Sequence, residues 1–172
     1  MVTQKITKVT EENQTFFETR TTKDGTYYRA VAHDFEISGF TTSRTKAVVE
    51  RIVRRSIEMP KEVPPNVAMA ADKLVDYVAA TVDQFGSDYA SVSVAVRAGE
   101  AKMVLTVYLT YYSDDKISEW RGGVEASVEW DNGKRVVKHV VKKRVVLSNV
   151  SAFAIYRQLL DVARRAYAVV EE

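Results

Sequence analysis

The stretch KMVLTVYLTYYSDD, residues 102 to 115, alternates so regularly that its two faces separate by inspection. Met103, Leu105, Val107, Leu109 and Tyr111 form one set; Lys102, Val104, Thr106, Tyr108, Thr110 and Tyr112 form the other. Successive side chains of a strand point to opposite faces, so the first set predicts a buried side and the second a surface bearing lysine and tyrosine.

Working outward, TFFETRTTKDGTYYRAVAHD holds a central Asp24-Gly25, the pair a tight hairpin turn favours, and is expected to pair Thr22 with Tyr27, Arg20 with Arg29, Glu18 with Val31 and Phe16 with His33. FEISGFT adds a short strand in which Gly39 suggests a bulge. Thr42 or Ser43 is placed to cap a helix from 44 to 58, where Val48, Val49, Ile52 and Val53 recur at helical spacing, and Pro60 ends it. PKEVPPN holds every proline of the chain and is the one linker-like stretch, so residues 1–172 read as a single domain whose halves, 1–60 and 66–172, join through residues 60–65. Asn66 is expected to cap a helix over 67–85, with a stripe of Met69, Ala70, Leu74, Tyr77, Val78 and Phe85 that stops at Gly86.

Strands are then expected at 89–97, 102–112, 123–131 and 134–146, and a last helix at about 150–170. Asn132-Gly133 marks a second hairpin, pairing Trp130 with Arg135, Val128 with Val137, Ala126 with His139 and Val124 with Val141. The order is βββα-α-ββββα, an α+β class with antiparallel sheet, in one piece or two, covered by helices on one face.

Composition narrows the function classes. The chain has 172 residues, no cysteine, and a net charge of +2 from 25 basic and 23 acidic side chains. Thiol nucleophiles, thiolate metal sites and disulfides are excluded. No apolar run reaches the roughly 18 residues of a membrane span, and MVTQKITKVTEENQ lacks a signal-peptide core, so no membrane association and a cytoplasmic location are expected. Few Asn and Gln beside abundant Lys, Arg, Glu and Val is a balance associated with heat, which suggests a thermophile, archaeal or viral.

Charge is unevenly spread. KRVVKHVVKKR, residues 134 to 144, has six Lys or Arg and no acid, whereas residues 112–131 hold six acids against Lys116 and Arg121. Sorting the strands by face puts Lys102, Thr106, Tyr108, Tyr112, Lys138, Lys142 and Arg144 on one side. Rings beside cations on an open sheet stack bases and neutralise phosphates, the physics of single-strand recognition. The competing reading is a solvated face on which Glu125 and Glu129 balance the lysines. Arg51, Arg54 and Arg55 share a helix face and offer a second basic patch, or a solvated helix with Glu50 and Glu58 as partners; Arg157, Arg164 and Arg165 repeat the pattern. Trp120, in what reads as the loop ISEWRGG, either stacks on a partner or plugs the sheet end, and Trp130 beside Arg135 suggests a cation-π pair.

His33 and His139 stand far apart with no fixed catalytic partner, Asp114 and Asp115 read as a strand terminator more readily than a cation site, and no phosphate loop, HExxH or nucleophile elbow occurs. No catalytic residue, metal site or cofactor is expected. DGTYYRAVAHDFEISGFTTSRT followed by a helix resembles the opening of HicB-type antitoxins over that segment alone. In element order, two strand-rich units each closed by a helix are similar to Whirly-type single-stranded DNA-binding proteins, which bears on fold and not on function. The expectation is a non-enzymatic protein binding single-stranded nucleic acid through Lys102, Tyr108, Tyr112, Trp120, Lys138, Lys142, Arg144, Arg51, Arg54 and Arg55. The alternative is a homo-oligomeric module, a homodimer for instance, with strands 102–112 and 134–146 suited to edge pairing.

Overall fold

The computed structural model describes residues 2–5, 14–85 and 89–170. Its strands are β1 (Val2–Lys5), β2 (Gln14–Thr22), β3 (Gly25–Ala32), β4 (Phe35–Thr41), β5 (Tyr89–Ala98), β6 (Ala101–Ser113), β7 (Ser118–Asp131) and β8 (Val136–Leu147). Its helices are α1 (Lys46–Glu58), α2 (Pro65–Phe85) and α3 (Ala152–Tyr167). The α+β layout is as the sequence implies, with β1 added. All eight strands form one antiparallel sheet in the order β1-β2-β3-β4-β8-β7-β6-β5. Each half is thus a meander followed by a helix, and the last strands of the two meanders, β4 and β8, meet in the middle.

Strand periodicity builds the core. Phe17, Tyr28, Ala30, Ile37, His139, Val141, Ala126, Val128, Met103 and Leu105 are buried on one face, against Val49, Val53, Val75, Val78, Ile155 and Leu159 of the helices, in one contiguous cluster. Thr45 and Ser151 cap α1 and α3, and Val49, Val53 and Ile57 recur at the same steps after their cap as Ile155, Leu159 and Ala163. The cap of α1 is therefore Thr45, not Thr42 or Ser43; the Ser43 hydroxyl instead accepts from Thr45 N–H. Among the described residues no helix covers the opposite sheet face.

Several local expectations are corrected. β2 and β3 close at Thr22 and Gly25, so Arg20 faces Tyr27, Glu18 faces Arg29 and Phe16 faces Val31. Lys23 and Asp24 form the tip, fixed where Thr22 Oγ1 accepts from Asp24 N–H and donates to the Gly25 carbonyl. Gly25 is obligatory there: at φ +152° its missing side chain leaves room for the Thr41 carbonyl and the Phe40 ring. β7 and β8 turn at Gly133 and Lys134, held by Asn132 Oδ1 accepting from Lys134 N–H and Arg135 N–H. Val128 thus faces His139 and Trp130 faces Val137, and Arg135 belongs to the turn rather than opposite Trp130. Each turn moves by one residue and each pairing by two, so every side chain keeps its predicted face.

Gly39 is no bulge but a regular partner of Tyr28 and His139. A Cβ on it would collide with the Tyr28 ring and the Lys138 carbonyl, so glycine lets Tyr28 reach across β4. In α2 the buried stripe is Val67, Ala71, Leu74, Val75, Val78 and Val82, with Met69 and Tyr77 outside it; Gly86 lies outside the described residues. Strands 102–112 and 134–146 are the interior strands β6 and β8, while the edges are β1 and β5.

Candidate nucleic-acid interface

Registers across the sheet place the bare face in rows. One row crosses seven strands, from Arg97 to Lys102, Glu129, Lys138, Phe40, Tyr27 and Arg20. At roughly 4.8 Å between strands it is about 29 Å long. Small side chains of the next row, Ala95, Val104, Ser127 and Val140, floor a trough of about 510 Å³ beside Arg97, Lys102, Glu129 and Lys138. Arg97, Lys102 and Lys138 form no ion pair with any described residue. Glu129, between Lys102 and Lys138 in register, is the one carboxylate of the row.

Beyond Lys138 the row turns aromatic. The rings of Phe40 and Tyr27 stand 4.7 Å apart, tilted by 49°, and the Arg20 guanidinium lies 4.8 Å over Tyr27. Phe40 is partly exposed and Tyr27 exposed. Cations and rings therefore share one line on the open face, the combination that holds a phosphate backbone and stacks its bases.

The middle of the face is neutralised. Arg29 Nε bonds Glu36 at 2.9 Å, which keeps the guanidinium pKa above its ordinary value through the hydrogen bond and the charge, and Lys142 lies 3.7 Å from Glu125. Toward the far end Tyr108 lies across Gly123, whose hydrogen leaves room for the ring, and Arg144 is the next residue in that row. Tyr108 is six residues from Lys102, about 20 Å along the strand, and Tyr112 about 33 Å. Tyr112 is covered on one side by Arg121, 3.7 Å from its ring, and its hydroxyl donates to Asp114. Asp114 also accepts from Lys116 N–H and Ile117 N–H, bonds that lower its pKa and tie the β6–β7 turn.

The sequence-derived residues thus divide. Lys102, Tyr108, Tyr112, Lys138, Lys142 and Arg144 share the open face. Trp120 is in β7, not a loop, and its ring meets Tyr111 at 5.2 Å on the helix-covered side. Arg51, Arg54 and Arg55 are on α1, behind the sheet, where Arg51 and Arg55 line a recess with Lys61 and Val170. On α3, Arg164 pairs with Glu62, and Arg165 donates to the Ser56 and Ile57 carbonyls. One ligand strand lying on the sheet cannot touch both layers. Arg20, Tyr27, Phe40 and Arg97 were missed by the sequence reading, because the row becomes visible only when the hairpin registers are right and the β4–β8 ladder joins Phe40 to Lys138.

Neither histidine sits in this interface. His139 is fully buried between Tyr28 and Ser56, and His33 occupies the β3–β4 turn at φ +54°. No family model, curated protein or solved structure matches the chain.

Proposed function

We propose that this chain is a non-enzymatic protein that binds single-stranded nucleic acid along the row Arg97, Lys102, Lys138, Phe40, Tyr27 and Arg20. The observation that carries the reading is that row: three cations with no ion pair to any described residue over a small-residue trough, continued by two adjoining rings and a fourth cation on one open sheet face. Single strands suit it because unpaired bases present faces to Tyr27 and Phe40, which a duplex hides.

Fluorescence anisotropy with labelled single-stranded DNA, single-stranded RNA and duplex DNA across a salt series tests it. About four engaged phosphates give a slope of log K against log salt near −3, with single strands bound more tightly than duplex. No binding at low salt sinks the reading, and a duplex preference removes its stacking component.

A further inference from the structure

Natural sheets protect their edges with short strands, bulges, prolines or charges. β1 is four residues long. β5 has ten residues, no proline, no lysine and no acid, and pairs with β6 without a bulge. Its outer side carries backbone groups that no strand of this sheet takes up.

Which groups these are follows from one hydrogen bond. Asn66 Nδ2 donates to the Arg97 carbonyl at 2.6 Å, so that carbonyl faces away from β6. Peptide direction alternates along a strand, so the N–H and C=O of Ser91, Ser93 and Ala95 face outward as well. Asn66 closes this edge at Arg97. With respect to the described residues, what remains open is a stretch centred on Ser93.

Beside it α2 leaves a mainly apolar groove of about 560 Å³ lined by Met69, Leu74, Tyr77, Val92 and Val94, with Lys73 its one charged side chain. Met69 and Tyr77, two turns apart on one side of α2, are 60% and 61% exposed. We infer that this edge is the dimerisation surface of the chain, β5 pairing antiparallel with β5 of a second copy about a twofold axis at Ser93. The occupant is a second copy because β5 complements itself. With that axis Ser93 meets Ser93, Ser91 meets Ala95 and Val92 meets Val94, while Arg97, the one charge of the strand, falls outside the central stretch and never faces its own copy. Met69 and Tyr77 flank the joint and lose their exposure to the second α2. Two open faces then form one continuous sheet, an isologous contact that closes on itself.

Light scattering coupled to gel filtration, from about 1 µM to 1 mM protein and without nucleic acid, tests this independently of the binding reading. Wild type is expected at twice the 19.4 kDa chain mass. Ser93→Pro removes an outward N–H and no ladder bond, and Tyr77→Lys replaces an apolar ring with a second lysine beside Lys73 at an exposed helix position. Both are expected at the chain mass with unchanged circular dichroism. A wild type that stays monomeric throughout, or any assembly whose mass both variants leave unchanged, overturns the inference.

Discussion

Two hydrogen bonds fix the proton of His139. The Ser56 hydroxyl donates to the Arg165 carbonyl at 2.9 Å, so its oxygen accepts from His139 Nε2–H, also at 2.9 Å. Nδ1 is then the acceptor for the Tyr28 hydroxyl at 2.6 Å. All three side chains are buried, and burial pushes His139 down to about 3 and Tyr28 upward. The folded chain therefore refuses a proton that the unfolded chain takes near pH 6.5. This contribution to stability is complete above pH 6.5 and is lost as pH falls toward 3, at up to about 1.4 kcal/mol per pH unit. Urea unfolding at pH 7 and pH 4 should show His139→Phe with a shallower acid loss than wild type. At pH 7 the variant should be weaker by about 2–4 kcal/mol, since Tyr28 and Ser56 lose a buried partner. Equal acid slopes would show that His139 titrates normally. Gly39→Ala belongs to the same network: its methyl would strike the Tyr28 ring and the Lys138 backbone, and a loss of about 2–4 kcal/mol is expected in thermal melts.

At the scale of the strand, exposure alone does not make a stacking site. Tyr27→Ala should weaken single-strand binding by about 1–3 kcal/mol, while Tyr112→Ala, about 33 Å along β6 from Lys102 and outside the row, should change it little. Titrations of the two variants that reversed this order would move the interface to the β6–β7 turn. Lys102→Ala should flatten the salt slope by about 0.7 and leave base preference unaltered. The faces of β6 and β8 were legible because period-2 alternation survives any even shift of register. The register was not, because Asp24-Gly25 and Asn132-Gly133 fit a turn in either of two adjacent positions. Cross-strand charge held the missing signal: the pairing drawn from the first turn set Arg20 against Arg29, whereas the true one sets Glu18 against Arg29 and Glu129 against Lys138. Trp120 was misplaced for a related reason, since Gly122 and Gly123 read as loop but serve a long strand that Tyr108 crosses. The α2 stripe erred because Met69 and Tyr77 are apolar without being buried, which hydrophobic spacing by itself does not separate from core.

For the whole molecule, the layer arrangement was readable from element order, while the joining of the two meanders into one sheet was not, because the β4–β8 ladder links segments with nothing local between them. Phe35 pairs with Lys143 and Thr41 with Val137, and it is the one ladder that binds the first meander to the second. Every other pairing joins strands that are neighbours along the chain or, for β1 and β2, nearly so. Such local ladders zip early and fast, whereas β4 and β8 must find each other across about 100 residues of chain. The seam is therefore the step expected to form last in folding. It is also where a newly synthesised chain, its first meander complete and β8 not yet made, leaves β4 as an unguarded edge.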